Sequence, residues 1–552
     1  MAGITMTGTS GIDVASLITQ LTALRQMEVT RISARKTTVN QQLDAFTKLG
    51  TYLNEFTQKA SAISSRNDFN LFKTSSTNND AVGITTNYNA QVGRYSVIVE
   101  QLAEREKLVS SRNLVSSPDA RISDIPGIEV GKFKINGVEI ELSATDTIND
   151  LRNKINGART GVTATILNTG ADGGLRLVLT ADETGEKGAQ YEDVDGNVLQ
   201  MLGFLDDSGA KNEDKENLLT RGADSVFFID GIRMTSTGNT ISNVIQGVNV
   251  QLKKVSATPV EISLERDNDA VAKKIEDVIN MYNSLLKFQD EQTRFVPGED
   301  GKPPVRGPLF GDSTVKSVTS SIRSLFSSAL AFEGSVFTSL SQVGVKTDHK
   351  TGFFELDKDK LKEALDRDFN AVVDLFITQG STNNSQIQFG RSSTDTQSGT
   401  YEVREHEGVF QIRRKGEGDN AWVTGERSGD IVSFREGPAR GMMITAPVGS
   451  GVGGVDGITT INFSKGLAGA IQDRVRQLTD SQEGVIATKR ESLNSRIRTI
   501  DSQIEMAQRR VDAYRDRLVR EFTNMETRMM MLNSQQSAMF AQINNNWGQE
   551  RR

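Results

Sequence analysis

Apolar residues at both ends of the chain recur at the spacing of an amphipathic helix. In the C-terminal part, one row advances by seven residues at a time through Ile497, Ile504, Val511, Leu518, Met525, Leu532 and Met539. In the N-terminal part, the same interval links Ile32, Val39, Phe46, Leu53 and Ala60. A second apolar row accompanies each of these, so each end presents one narrow stripe that must be buried against another helix. We therefore predict that the two ends pair with each other as a helical stalk.

The N-terminal pattern predicts a helix over residues 14–63, with Asp13 or Ser10 as the candidate cap. Arg25, Glu28 and Arg35 fall on positions of the apolar stripe, so we expect a break in the helix, or a change of packing partner, between 25 and 35. Residues 1–11 are rich in Gly, Thr and Ser, and we expect them to be disordered until they meet a partner.

Other segments repeat the helical period further along the chain. The closing helix is expected from 467 to 544, with an interruption at Gly484. Shorter helices are predicted at 268–295, 315–330 and 357–376, with a Pro/Gly-rich loop at 296–308.

Between the two ends, apolar and polar residues alternate and β-branched residues are frequent, a pattern typical of β-strands. The predicted strands before residue 268 are 95–99, 131–142, 162–167, 175–179, 226–234 and 248–255. A second β-rich stretch at 380–460 has runs at 400–403, 409–413, 430–434 and 442–445. Gly- and Ser-rich segments flank this second stretch, which indicates a separately folded insert.

One internal repeat lies within the first β-rich region. The sequence FKINGVEI at 133–140 matches FFIDGIRM at 227–234, and each copy holds an Asn-Gly or Asp-Gly pair between apolar runs. That arrangement predicts a two-residue β-hairpin in each copy. Each copy is followed by a Thr-Ile pair, at Thr147 and Thr240. We therefore predict two copies of one β-module, the first nested inside the domain that holds the second.

The predicted fold class is a multidomain α+β protein, with N- and C-terminal coiled-coil legs and nested β-rich head domains between them. The expected domains are leg helices at 1–40 and 515–552, a helical stalk domain at 41–71, 268–380 and 460–514, a β-rich head domain at 72–130 and 222–267, a nested head domain at 131–221, and an extra β-rich insert at 381–459.

Composition excludes several classes of function. The 552 residues carry a formal net charge of −7 with both signs interspersed, which argues against a nucleic-acid partner. The chain has no cysteine, so disulfides and thiolate metal sites are excluded, and unfolded export is compatible with this. No segment approaches the roughly 18 consecutive apolar residues of a membrane span. Residues 1–18 do not resemble a cleaved signal peptide, so secretion would use another route.

No pattern of residues indicates catalysis, a cofactor or a metal. His349 and His406 are the only histidines, and neither has the spacing of a catalytic triad or a metal site. A G-x-G-x-x-G match at 449–454 lacks the strand and helix of a dinucleotide site and is expected to be a linker. The segment 193–197 resembles part of a calcium loop but lacks the distal glutamate. We therefore expect no enzyme, no cofactor and no metal.

Several segments together resemble one protein family. They are GTSGIDVASLITQL at 8–21, VGRYSVIVEQLA at 92–103, DGI at 230–232 with NTISNVIQGV at 239–248, and GPLFGD at 307–312 with LSQVGV at 340–345 and GFFELDKDKL at 352–361. In this order they resemble the bacterial flagellar filament cap proteins, the hook-associated protein 2 family. The resemblance covers roughly 1–380 and 460–545, and the insert at 380–460 departs from it.

The resemblance implies an oligomeric ring at the distal tip of the flagellum, outside the cell, that promotes folding and insertion of exported flagellin and prevents its loss. It implies as partners other copies of the chain, flagellin, hook–filament junction proteins and a flagellar type III export chaperone, and neither nucleic acid nor membrane. We expect five copies, although four or six would use similar surfaces. The implied leg contacts are Leu17, Leu21, Leu24, Leu518, Met525, Met529, Leu532 and Met539, and the stalk contacts are Val39, Phe46, Leu53, Ile497, Ile504 and Val511.

Two alternatives remain at this point. The chain could be a hook–filament junction protein or another flagellar axial protein. It could also be a surface adhesin that acts through its β-rich domains. The methionines at 529–531 and Met539 have two readings as well: they either pack in a core or form an adaptable assembly or chaperone-binding surface.

Overall fold

The computed structural model describes residues 13–112, 117–170, 174–298, 303–328, 335–448 and 457–549, with the side chains of 544–549 left out. The expected disorder of 1–11 and the linker at 449–454 therefore lie outside the described residues. The chain divides into a helical unit, Met1–Arg66 with Ala272–Arg552, and a head unit, Asn67–Val271. The described helices, numbered in chain order, are α1 (Val14–Ser61), α2 (Ile148–Gly157), α3 (Val198–Met201), α4 (Asn268–Thr293), α5 (Thr314–Ser327), α6 (Lys358–Arg367), α7 (Phe369–Asp374), α8 (Gly466–Thr479) and α9 (Val485–Gln549).

The first helix is continuous through the stretch where a break was expected. Asp13 caps α1 by accepting a hydrogen bond from the Ser16 amide at 3.0 Å. Arg25 stacks over the ring of Tyr514 at 5.4 Å, and Glu28 pairs with Arg510 at 3.3 Å. The prediction of a break or a new packing partner is wrong, because α9 supplies polar and aromatic partners to the charged positions of the stripe.

The predicted interruption of the closing helix at Gly484 is confirmed. Between α8 and α9, the Asp480 carboxylate accepts hydrogen bonds from the amides of Gln482 and Glu483, both at 2.8 Å. A Cβ on Gly484 would lie 2.4 Å from the Asp480 carbonyl oxygen, so only glycine fits this turn. The predicted helix at 357–376 is also split, because Asp368 ends α6 and caps α7 through the Ala371 amide at 2.9 Å.

The described residues of the head unit form fifteen strands, which lie in two β-rich regions. The strands are β1 (Phe72–Ser76), β2 (Val82–Thr86), β3 (Gly93–Gln101), β4 (Arg105–Val109), β5 (Lys132–Ile135), β6 (Val138–Glu141), β7 (Val162–Asn168), β8 (Leu175–Thr184), β9 (Tyr191–Asp195), β10 (Leu218–Thr220), β11 (Ser225–Ile229), β12 (Ile232–Ser236), β13 (Thr240–Ile245), β14 (Val248–Leu252) and β15 (Ser256–Arg266). One region packs the sheet β1-β15-β3-β11-β12 with the sheet β13-β14-β2 around a common apolar core. The other builds a separate core from the sheets β10-β4-β8-β7 and β6-β5-β9 with α2 and α3.

The two hairpins of the internal repeat are confirmed. Strands β5 and β6 pair Ile135 with Val138, and β11 and β12 pair Ile229 with Ile232. The turn residues Asn136 and Gly137 have φ of 48° and 81°, and the corresponding turn at 230–231 has φ of 50° and 80°. Positive φ at both central residues is the type I′ geometry that suits the twist of a hairpin.

The two copies differ after their hairpins, so the repeat is shorter than predicted. Thr147 caps α2 in a capping box with Asp150, whereas Thr240 begins strand β13. At the position equivalent to Asp150, the second copy has Asn243, which adopts φ of 66° beside a shift in strand register. Asp150, at the third helical position, completes the cap of the first copy, and the second copy has no equivalent of this cap.

The packing of the nested region differs from the predicted division at 131–221. Strand β4 already pairs with β8, and Leu108 is fully buried in the nested core. Strand β4 was not predicted from the sequence because most of its residues are charged. Its buried Glu106 is held by Lys211 at 2.6 Å and by the Ala189 amide at 3.1 Å.

The insert of the helical unit is one antiparallel sheet with a filled interior. Its strands are β20 (Gln379–Thr382), β21 (Gln388–Arg391), β22 (Gly399–His406), β23 (Val409–Arg414), β24 (Val423–Ser428), β25 (Ile431–Phe434), β26 (Met443–Thr445) and β27 (Ile458–Ser464), in the order β20-β27-β22-β23-β24-β25-β26-β21. Tyr401 lies in its core and donates its hydroxyl to the Pro438 carbonyl at 2.8 Å, and burial raises the pKa of Tyr401 to about 12. The chain enters through β20 and leaves through β27, which are neighbours in the sheet.

Two further short pairs of strands are described in the helical unit. A two-stranded ribbon after α4 pairs β16 (Phe295–Val296) with β17 (Val305–Arg306), and β18 (Val345–Thr347) pairs with β19 (Phe354–Leu356). The segment 296–308, predicted as a loop, therefore contains part of this ribbon. Within the described part of the chain, no helix has the length and apolar character needed to cross a membrane.

Thr147→Ala is expected to destabilise α2 by about 1 kcal/mol, because the capping hydrogen bond to the Asp150 amide is lost. Thr240→Ala is the matched control, since the equivalent threonine caps nothing and should change local stability by less than about 0.5 kcal/mol. Hydrogen exchange of the amides of 148–157 in the full chain measures the difference. Equal effects of the two substitutions would contradict the assigned cap.

Candidate functional site

The helices α1 and α9 pair in antiparallel orientation over most of the length of α1. Lys36 contacts Asp501 at 2.6 Å, and Gln26 donates a hydrogen bond to Gln508 at 3.3 Å. Lys489 lies 5.9 Å above the ring of Phe46. As the contacts move towards the start of α1, they move towards the end of α9, as antiparallel helices require.

The stripe of α1 is buried as its spacing indicates. Val39, Phe46 and Leu53 are 3%, 0% and 0% exposed, and the companion residues Leu49 and Phe56 are fully buried. Removal of side chains of this size from water provides most of the stability of such a pair, since each contributes about 1.5–3 kcal/mol. The helix pair is thus held by its apolar seam.

On α9 the buried row changes along the helix. Leu493, Ile500 and Ala507 are buried in the first half, whereas Ile497 and Ile504 are only half-buried. Val511 and Leu518 are buried further along, and they belong to the same seven-residue row as Ile497 and Ile504. The change follows from geometry, because a straight α-helix drifts by about 20° per heptad against a strict seven-residue repeat. In the first half of α9, the companion row of Leu493, Ile500 and Ala507 therefore forms the seam, and the predicted residues Ile497 and Ile504 lie beside it.

The N-terminal leg residues share one face of α1, since they lie at i, i+4 and i+7. Leu21 is half-buried, whereas Leu17 is 38% and Leu24 is 69% exposed. Leu17 and Leu24 are seven residues apart and so lie on one side of the helix. They lie at the exposed edge of that face, and Leu21 lies nearer the seam.

The C-terminal leg residues change from buried to exposed along α9. Leu518 is buried and Met525 and Met529 are half-buried, whereas Leu532 is 62% and Met539 is 54% exposed. Since Arg25 faces Tyr514 and both helices rise by about 1.5 Å per residue, the start of α1 lies opposite the vicinity of residue 525. From Met530 to Ile543, α9 continues for about 21 Å and every one of its side chains is exposed. We call this part the free end of α9.

The free end is apolar as well as exposed. Its exposed apolar side chains are Met530, Met531, Leu532, Met539, Phe540 and Ile543. Leu532, Met539 and Ile543 lie at i, i+7 and i+11 and so share one face of the helix, and an exposed apolar stripe of this kind is typical of sites of protein association. Methionine is suited to such a surface because its unbranched side chain adapts to irregular partners.

The residues that were considered as candidates for catalysis or metal binding have structural positions in turns, at strand ends and in helix caps. His349 and His406 are exposed in turns or at strand ends. Asp193 of the calcium-like segment accepts hydrogen bonds from the amides of Leu199 and Gln200, at 2.9 and 3.0 Å. Burial raises the pKa of Asp193 despite these bonds. Among the described residues, no cluster of His, Asp and Glu has the geometry of a metal site.

The helical unit has a second exposed apolar surface that was not predicted from the sequence. Phe295 and Phe310 are each 46% exposed, and their rings lie 5.3 Å apart. The two short strands were not predicted because proline and glycine dominate the segment between Phe295 and Phe310.

Three family models match the chain. The model described as flagellar hook-associated protein 2 C-terminus matches residues 222–534, and the model of the N-terminus of the same protein matches 10–106. The flagellin hook IN motif matches 128–183, which includes the first hairpin of the internal repeat.

Individual relatives agree with these matches. The chain is 28% identical to flagellar hook-associated protein 2 of Escherichia coli K12, over 71% of this chain and 84% of the relative. It is 28% identical to the B-type flagellar hook-associated protein 2 of Pseudomonas aeruginosa, over 68% of this chain and 81% of the relative. The crystal structure of the D1-D2-D3 domains of the flagellar cap protein FliD from Escherichia coli matches with a TM-score of 0.51 at 26% identity, and it covers 60% of this chain and 90% of that one.

Leu493→Ala is expected to destabilise the helix pair by about 2–5 kcal/mol, because a buried side chain of the seam is removed. Leu532→Ala, on the same helix but in the free end, is the matched control and should change stability by less than about 0.5 kcal/mol. Hydrogen exchange of the amides of α1 in the full chain reports both values. A large loss with Leu532→Ala would show that the free end is packed in the isolated chain.

Proposed function

The chain belongs to the flagellar hook-associated protein 2 family, the caps of the bacterial flagellar filament, and we propose that it caps the filament through the free end of α9. The C-terminal family model alone matches more than half of the chain. The observation that supports the proposed contact is the continuation of α9, with exposed apolar side chains, beyond the point where α1 begins.

The free end is suited to bind helices at the end of the filament. Leu532, Met539 and Phe540 are each more than half exposed, so their apolar area is available to a partner. Burial of such side chains yields about 1.5–3 kcal/mol each, which allows a few contacts to hold a leg that can still be released. The adaptable Met530 and Met531 would allow legs of one sequence to fit unequal positions in a filament whose symmetry differs from that of the cap.

The N-terminal leg contributes a second, smaller contact in this proposal. Leu17 and Leu24 are exposed on one side of α1, near the end of the seam. Leu21, Leu518, Met525 and Met529 are more buried, and we assign them to the join between leg and stalk.

The other partners follow from the work of a cap. Copies of the chain form a ring at the distal tip, outside the cell, with five as the proposed number. Flagellin that arrives unfolded is retained under the ring, folds and inserts, and junction proteins at the end of the hook support the first cap. Before export, the exposed apolar side chains of the free end would need to be covered by another protein, and a flagellar export chaperone performs this task. A chain without cysteine can be exported unfolded without forming disulfides.

For the domains, we propose the division into leg helices, stalk, head, nested head and insert, with the nested head extended to 104–223 because β4 and β10 belong to its sheet. The insert at 381–459 is proposed to face outwards. Neither the junction role nor the adhesin role is favoured, since the matching family models are those of hook-associated protein 2.

Leu532→Asp is expected to abolish capping in a host that has this chain as its only copy, because a charge cannot be buried in the proposed leg contact. Cells should keep hooks, lose filaments and release flagellin to the medium. Met506→Asp is the matched control, since Met506 is 57% exposed on α9 beside the seam and should leave filaments normal. Electron microscopy and an immunoblot of the medium measure the outcome. Full-length filaments with Leu532→Asp would refute the leg assignment.

A further inference from the structure

The helical unit contains a groove of about 520 Å³ between α1 and the first turns of α9. Its floor includes Gly50, Ile486 and Ala487, and its rim includes Arg490, Glu491 and Arg498. We call it the Gly50 groove. An apolar floor within a polar, charged rim is the anatomy of a protein interface.

Gly50 is not required by the packing of the described chain. It lies in the interior of α1, where glycine makes a helix less stable than alanine does. A Cβ at this position would meet no atom within 4 Å. The space above Gly50 is therefore available for the close approach of another backbone or a large side chain.

The rim of the groove presents charges that are not used inside the chain. In the described ranges, neither Arg490 nor Arg498 has an ion-pair partner, and the same holds for Glu491. By contrast, Lys489 next to them is paired with Asp312 at 2.8 Å. Two free arginines at the mouth of a groove favour a partner that carries carboxylates beside its apolar part.

A surface of that kind lies on the same unit. The ribbon β16–β17 exposes Phe295, Val296 and Val305, and the turn after it exposes Phe310, each by 46–54%. The Arg306 guanidinium lies over both phenyl rings at 5.5–5.6 Å. We call these five residues the Phe295 ribbon. The last turns of α4, which lead directly into it, expose Asp290 and Glu291. The ribbon thus combines an apolar projection with adjacent carboxylates.

The groove and the ribbon are on opposite sides of α1. Tyr52 of α1 packs on Phe288 of α4, with ring centroids 5.0 Å apart. Asn54 lines the groove and follows Tyr52 by two residues, which is about 200° around the helix. The helix α4, which ends at the ribbon, therefore lies across α1 from the groove. A head-to-tail ring of identical copies requires two complementary surfaces that face different directions, as these do.

We propose that the Phe295 ribbon of one copy docks in the Gly50 groove of the next copy and forms a stalk-level contact of the cap ring. This inference rests on the proposed function, because it requires the chain to form a ring. Phe295 and Val296 enter above Gly50, and Asp290 and Glu291 approach Arg490 and Arg498.

The absence of native cysteine allows a direct test by disulfide trapping in the full chain. Gly50→Cys and Val296→Cys are combined in one chain, which is supplied as the only copy to cells that lack the gene. A disulfide requires Cα atoms about 4.4–6.8 Å apart, so only the docked ribbon can form one. Brief oxidation of the flagella should give a ladder of multimers on a non-reducing gel, and its top rung gives the number of copies in the ring.

Two matched variants control this experiment. Val336→Cys replaces Val296→Cys in the first control, because Val336 has the same exposure of 47% but lies outside the ribbon, and it should give no ladder. Asn54→Cys with Val296→Cys is a second test pair, since Asn54 is exposed at the groove and its substitution leaves the interior of α1 unchanged.

The outcomes separate this inference from the proposed function. Normal filaments without a ladder in both test pairs would overturn the docking and leave the cap role intact. A ladder of equal strength in the Val336 control would also overturn it. If the unmodified chain restores no filaments in the same cells, the proposed function fails, whatever the crosslinks show.

Discussion

The burial of the α1 stripe against the α9 stripe is the interaction on which the rest of the structure depends. It joins the two ends of a 552-residue chain, so every other element must leave this pair and return to it. The β-rich regions meet this condition through neighbouring strands. In the head unit, Phe72 at the start of β1 is opposite Arg266 at the end of β15. In the insert, Gln379 of β20 is opposite Ser464 of β27. Such insertions add folded units without disturbing the helices.

The unequal length of the two helices leaves an exposed apolar surface at the end of α9. The seam is fully apolar around Phe46 and Leu493, becomes mixed around Arg25 and Tyr514, and ends near the start of α1. Beyond that point, α9 retains the apolar periodicity of a paired helix without a described partner. Such a helix can pair with another chain, and this is the basis of the proposed contact with the filament.

The sequence was sufficient for the helices, the repeated hairpins and the family, because each depends on local patterns. Heptad spacing predicts α1 and α9, and Asn136-Gly137 predicts its turn whatever surrounds it. The remaining features depend on contacts between distant residues. A buried Glu106 becomes compatible with a strand only when Lys211 lies beside it, and Arg25 stays in a continuous helix because Tyr514 faces it. The shift of the seam from the row of Leu493 to the row of Val511 depends on three-dimensional helix geometry. The spacing alone therefore predicted more burial for Ile497 and Ile504 than the structure shows.

The most direct test of the account is removal of the gene from its host, with electron microscopy of the cells and measurement of flagellin in the culture medium. The account predicts hooks without filaments and flagellin monomers lost to the medium, both reversed when the full chain is supplied again. Filaments of normal length on cells that lack the chain would contradict it.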